Sequence, residues 1–137
     1  MRKRLACGMV LGLALAAFAA LNGRDRTDAA EEGSVMLAHN VFFALKDNSA
    51  ESKKKLVDAC KKYLSKHPGE VFFAAGIRAE DLNREVNDQD FDVGLHIVFK
   101  DKASQDKYQE AERHKQFIEE NRENWKKVRV FDSLVSK

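Results

Sequence analysis

Cysteine, proline and any excess of one charge are scarce in this chain, and each scarcity closes off a class of function. Two of its 137 residues are cysteine and one is proline. Cys7 falls in an N-terminal apolar stretch expected to be removed, which leaves Cys60 with no partner for an intramolecular disulfide even in an oxidising compartment. No cysteine cluster with ligand spacing suggests zinc. The lone Pro68 leaves no proline-rich tract, and the sequence shows neither a low-complexity stretch nor a repeat of solenoid length. The 24 Lys and Arg nearly balance the 22 Asp and Glu, so the electrostatic footprint of a nucleic-acid-binding protein is missing. Lys53-Lys54-Lys55, Lys61-Lys62 and Lys126-Lys127 are interleaved with acidic residues and read as solvated helix faces.

What is present at the N-terminus is a compact cationic start, Met1-Arg2-Lys3-Arg4, followed by 17 uncharged residues from Leu5 to Leu21 rich in Leu, Ala and Gly. That is the shape of a secretory signal. Ala17-Phe18-Ala19 and Phe18-Ala19-Ala20 both offer small residues where a signal peptidase reads them. Cleavage after Ala19 or Ala20 is expected, giving a leader over 1–20 and an exported product, periplasmic or extracellular. The alternative is an uncleaved anchor through residues 5–21, because a helix rising about 1.5 Å per residue over that run approaches the roughly 30 Å apolar thickness of a bilayer. Contact with a membrane is expected only in that case. Cys7 precedes most of the apolar run, and Arg4 stands where a lipobox needs an aliphatic residue, which argues against lipidation. Removing Arg2, Lys3 and Arg4 leaves 21 basic against 22 acidic residues, a net charge of about −1. Residues 21–34 are polar and without apolar periodicity, as expected of a flexible tether. The remaining segment, 35–137, is the size of one domain with a single core.

Within that domain the order of elements is legible. Met36 to Leu45 is β-branched and aromatic enough for a strand. Asn48 followed by Glu51 resembles a capping box, after which Leu56, Val57, Cys60, Tyr63 and Leu64 recur at helical spacing. His67-Pro68-Gly69 stops that helix. Glu70 to Ile77 is a second strand, Asn83 to Asp90 a polar loop, and Asp92 to Phe99 a third strand. Asp101 or Ser104 caps a long helical region reaching about Trp125, and Val128 to Val135 closes the chain as a fourth strand. This βαββαβ order predicts an α+β, ferredoxin-like fold with both helical segments on one face of a four-stranded antiparallel sheet.

Such a sheet alternates apolar and polar residues when its second face meets water, and this one does not alternate. Leu37, Val41 and Phe43 lie on one side of the first strand, Met36, Ala38, Phe42 and Ala44 on the other. The second strand sets Val71, Phe73 and Ile77 against Phe72 and Ala74. Helices cover one face only, so a second copy of the chain is the economical cover for the other, giving a homodimer that forms a dimeric α+β barrel.

From Met36 to Val135 the chain resembles the stress-responsive A/B barrel family of the dimeric α+β barrel superfamily. The resemblance is carried by Leu37-Ala38-His39-Asn40-Val41-Phe42-Phe43, by Phe91-Asp92 and Phe99-Lys100-Asp101 around the third strand, by Tyr108 with His114 six residues later and Phe117 beyond, and by Val128-Arg129-Val130-Phe131-Asp132. It implies a cofactor-free pocket for a small apolar or polyketide-like ligand. By comparison with the family's plant polyketide cyclase, it implies His114 as general base and Tyr108 as hydrogen-bond donor to a carbonyl or enolate oxygen. His39, Val41, Phe43 and Val93 would line the same pocket, Val93 standing where that cyclase has a further histidine. No cofactor or metal is implied.

Two classes of function remain open on the residues themselves: a dimeric domain that shelters a small ligand, and a cofactor-independent cyclase-like or monooxygenase-like enzyme. An imidazole near pKa 6.5 is neutral enough at pH 7 to take a proton, and a buried phenol stabilises negative charge developing on oxygen. Convergence sets a geometric condition, because in an uninterrupted α-helix residues six apart are displaced by about 9 Å along the axis and about 120° around it. Tyr108 and His114 meet only if the helix is broken. His114 shares a helical stripe with Ala111 and Ile118, which equally suits a hydrogen-bonded core histidine. His96 points away from Leu95 and Ile97, toward the face expected to be covered by a second copy. His39, His96 and His114 have no close ligand spacing for a metal.

Overall fold

The computed structural model of the protein describes residues 34–136. The expected leader over 1–20 lies outside the described residues, as does the tether expected over 21–34 except for Ser34. Among the described residues no helix is long and apolar enough to cross a membrane.

The elements follow the predicted order with one extra helix: β1 (Met36–Leu45), α1 (Ala50–Leu64), β2 (Glu70–Ile77), β3 (Val93–Phe99), α2 (Lys102–Glu110), α3 (Glu112–Asn121), a 3₁₀ turn (Arg122–Asn124) and β4 (Trp125–Val135). The strands form one antiparallel sheet in the order β2-β3-β1-β4, the ferredoxin-like α+β arrangement.

Local chemistry sets the boundaries. Ser49, rather than Asn48, caps α1: its hydroxyl accepts the Ser52 N–H at 3.2 Å. The Asp47 carboxylate accepts the Ser49 N–H at 3.0 Å, which fixes the cap one residue later than the expected capping box. Asp101 caps α2 by accepting the Ser104 N–H at 2.7 Å. The expected single long helix is divided at Ala111, whose backbone is extended (φ −66, ψ 137). β4 starts at Trp125, ahead of the expected Val128, because Trp125 pairs with Leu45 across a bulge at Lys126 in β4. A second bulge, between Glu70 and Phe72, leaves Val71 without a paired residue in β3, and Val71 is exposed, as is Ile77 at the far end of the strand.

The core lies between the helices and one face of the sheet. Leu37, Val41 and Phe43 of β1 and Val93, Leu95, Ile97 and Phe99 of β3 are buried there, against Leu56, Val57, Cys60, Tyr63 and Leu64 of α1, Tyr108 of α2 and Phe117 of α3. The opposite face carries Phe42, His96 and Phe131 in edge-to-face contact, with Phe42 4.9 Å from Phe91 and 5.8 Å from Phe131 between ring centroids. Phe72 and Phe131 are each 53% exposed. Residues 78–92, between β2 and β3, are tied down beside this aromatic group. Arg78 donates to the Phe91 carbonyl at 2.9 Å, Arg129 donates to the Asp90 carbonyl at 2.8 Å and pairs with Asp88, and Lys127 pairs with Asp90 at 2.7 Å.

The turn from α1 to β2 is the tightest place in the fold. Lys66 and Gly69 both adopt left-handed backbone (φ +61 and +84). A Cβ on Gly69 would sit 2.5 Å from the Ser104 Cβ and collide with its hydroxyl. Gly69→Ala therefore combines a left-handed penalty of about 1–2 kcal/mol with overpacking of about 1–3 kcal/mol. It is expected to lower stability by about 2–5 kcal/mol, read as a lower urea midpoint at unchanged slope.

Candidate functional site

Tyr108 organises the polar part of the core. It is 2% exposed, and three histidine rings surround it: His114 at 4.6 Å between centroids, His67 at 4.9 Å and His39 at 5.8 Å, with Phe99 at 5.1 Å. The break at Ala111 makes the His114 contact. The Ala111 N–H donates to the Tyr108 carbonyl at 3.1 Å, and its own carbonyl accepts from His114 and Lys115 N–H at 3.0 and 3.1 Å. The helix thus stops and restarts around one residue, and the condition set by the six-residue spacing is met.

Each histidine has an oriented ring. His114 Nδ1 lies 3.1 Å from the Gln109 carbonyl. A carbonyl only accepts, so Nδ1 carries the proton and a neutral ring presents the bare lone pair of Nε2. His39 Nδ1 is 2.6 Å from the Asp132 carboxylate, which leaves Nε2 for a ligand. His67 Nε2 donates to the Tyr63 carbonyl at 2.9 Å.

Burial tunes both members of the central pair in useful directions. It lowers the His114 pKa below the ordinary histidine value, assisted by the neighbouring His39 and His67 and opposed by the hydrogen bond to Gln109 and by Glu110. It raises the Tyr108 pKa, with smaller contributions from Cys60 and Glu70. At neutral pH the site therefore holds a neutral imidazole able to accept a proton beside a neutral phenol able to donate a hydrogen bond. Cys60 is inert by the same physics: full burial pushes its thiol up to about 12.

Beside these groups is a cavity of about 190 Å³ between the sheet and the α2–α3 pair. His39, Tyr108 and His114 supply its polar wall, while Val41, Phe43, Leu95, Phe117 and Val130 supply much of the apolar remainder. That volume is below the roughly 300–1,000 Å³ usual for drug-sized ligands and suits a smaller, largely apolar molecule. A larger cavity of about 410 Å³ on the opposite face is bounded by Phe42, Phe131 and the 78–92 segment. Its arginines are already engaged with that segment, and it contains none of the tuned acid–base groups.

The structure brings His39, Val41, Phe43, Tyr108 and His114 together at one cavity. Val93 is fully buried on the same sheet face but is not part of the cavity wall. His96 lies on the other face, with Nδ1 2.8 Å from the Asn40 side-chain oxygen. Sequence reasoning gave no role to Asp132 or His67. Asp132 carried a usable signal, as a lone carboxylate on the alternating stripe Val128, Val130, Leu134, directly opposite His39 in the sheet register. His67 carried none, being read only as part of a helix stop. Among the described residues no three His, Cys, Asp or Glu side chains gather as metal ligands.

The Stress responsive A/B Barrel Domain family model matches residues 37–135. No curated protein matches the chain. Among solved structures, a ferredoxin-like Dabb family protein from Mesorhizobium loti superposes with a TM-score of 0.63 at 23% identity, over 75% of this chain and 99% of that one. A dimeric ferredoxin-like protein of unknown function from Thermobifida fusca gives 0.62 at 12% identity, over 74% and 92%. A hydroxynitrile lyase from Passiflora edulis gives 0.62 at 17% identity, over 77% and 97%. At these identities the structural likenesses show the fold.

Proposed function

The chain belongs to the stress responsive A/B barrel domain family, and from that premise we propose that it is an exported, homodimeric domain that shelters a small, largely apolar ligand beneath its helices. The observation that carries this reading is the 190 Å³ cavity with Tyr108, His114 and His39 on one wall. The two-fold partner would cover the aromatic outer face, in keeping with the dimeric description of the Thermobifida fusca neighbour. Export rests on the Met1–Leu21 pattern.

A second reading, cofactor-independent acid–base chemistry on a carbonyl compound, is favoured by one further observation: the imidazole of His114 and the phenol ring of Tyr108 lie 4.6 Å apart between centroids, and burial favours the neutral form of each. In it His114 Nε2 takes a proton from the carbon next to the carbonyl, and the Tyr108 hydroxyl donates to the oxygen on which charge develops. His39, held by Asp132, offers the ligand a second oriented contact.

The binding claim is tested by native mass spectrometry of the purified protein against small ketones and aromatic carbonyl compounds, followed by NMR mapping of the retained compound. One ligand per chain, shifting the Tyr108 and His114 ring signals, is expected. A compound that shifts only Phe42 and Phe131, or a folded protein that retains no member of the set, overturns it.

A further inference from the structure

Nothing in the local sequence breaks the helix at Ala111. Gln109-Glu110-Ala111-Glu112-Arg113 contains neither proline nor glycine, and Ala is the strongest helix former of all. Ala111 is also a poor N-cap, and no side chain caps α3. The conformation that brings Tyr108 and His114 together is therefore held from outside, and the neighbouring contacts identify what holds it.

The Arg113 guanidinium donates to the carbonyls of Lys62 at 2.7 Å and Ser65 at 3.1 Å. These carbonyls lie at the C-terminal end of α1, where helical carbonyls lack intrahelical partners and the helix dipole favours a cation. Arg113 therefore serves as the C-terminal cap of α1. On the other side of the break, the same turn presses on α2: His67 stands at 85° to the Tyr108 ring, and Gly69 packs too closely on Ser104 to admit a Cβ. One connection, Lys62 to Gly69, thus grips the chain both before and after Ala111.

We infer that the α1–β2 connection is a clamp that sets the Tyr108–His114 geometry, with Arg113 and His67 as its positioning residues. The importance of that geometry for a ligand rests on the function proposed above; the clamp itself does not. Without Arg113, the preference of residues 109–113 for continuous helix is unopposed on the α3 side, and His114 rotates away from Tyr108.

The backbone also supplies a rescue. Glu112 is the first helical residue of α3, where proline is favoured because its missing N–H has no intrahelical partner to lose. A proline there confines the preceding residue to extended backbone, which Ala111 already has. Glu112→Pro should therefore hold the break without the clamp.

The test reads His114 by NMR in the ligand-free full chain, through its ring contacts with Tyr108 and its titration. The groups facing that ring are Tyr108 and Glu110 from α2, His39 from β1 and His67 from the turn. Arg113→Ala should abolish the Tyr108–His114 ring contacts and move the His114 pKa up toward the ordinary value near 6.5. Glu112→Pro added to Arg113→Ala should restore both, which a general loss of stability would not allow. His67→Ala should weaken the ring contacts while leaving the Ala111 break in place. An Arg113→Ala protein with the wild-type contacts and titration, or a double variant that is not restored, overturns the clamp. Ligand binding is read separately, so a confirmed clamp with no bound ligand counts against the pocket, and the reverse result against the clamp alone.

Discussion

His114→Gln is expected to slow exchange of the α-protons of a bound small ketone with deuterated solvent by about 10²–10⁴-fold, the usual contribution of a positioned general base. Glutamine keeps most of the volume and an N–H able to reach the Gln109 carbonyl, but has no basic nitrogen. Affinity should therefore change little while exchange is lost, separating a base from a merely packed histidine. Tyr108→Phe is the companion measurement, since it removes the donor and leaves the ring among its three histidines. Unchanged exchange in His114→Gln would remove the base assignment, and no exchange in the wild-type protein would leave ligand shelter as the function.

The same substitution has a consequence for stability with a fixed sign. His114 has a lowered pKa in the folded chain and about 6.5 in the unfolded one, so the unfolded state binds the proton more readily. Stability is intact above about pH 6.5 and is lost as pH falls through the folded-state value. His96, also lowered by burial, acts in the same direction. His114→Gln should flatten part of the acid limb of the stability curve and leave the His96 share.

The architecture was legible because runs rich in β-branched and aromatic residues give way to apolar residues at helical spacing, and burial follows that spacing: the stripe from Leu56 to Leu64 is the buried face of α1. The double-sided apolar character of the first two strands was equally legible, and it appears as Phe42 and the exposed Phe72 on the face away from the helices, on strands separated by β3. The assembled site was not. The partner of His39 is 93 residues away, and the carbonyls held by Arg113 are 51 and 48 residues away. Local preference even points the wrong way at Ala111, where a good helix former sits in extended backbone. Conflicts between local preference and tertiary structure are expected where a site is being shaped, and this one falls between the two residues with the clearest chemistry.

Phe72→Asp and Phe42→Asp should convert a two-chain species into single folded chains. A phenylalanine buried against a partner contributes about 1.5–3 kcal/mol relative to exposure, and two-fold symmetry doubles it. With Phe72 already about half buried in the single chain, its substitution costs roughly half of that doubled figure, about 1.5–3 kcal/mol or about 10–10² in dissociation constant, before the added cost of burying two carboxylates. Phe42 already packs on Phe91, His96 and Phe131 within its own chain, so its replacement also disturbs the monomer. Phe72 is 53% exposed and makes the cleaner variant. Sedimentation equilibrium across a wide concentration range reads the result, with circular dichroism to confirm the fold. His96 sharpens the expectation. Covering it with a second sheet withdraws more water from an imidazole whose burial already disfavours its charged form. Association should then weaken as pH falls through the His96 value of the single folded chain, already lowered by burial, and a His96→Gln variant should lose that dependence. A wild-type protein that stays a single chain at high concentration leaves the aromatic face to solvent and removes the dimer from the proposed function, while the cavity under the helices stands on its own residues.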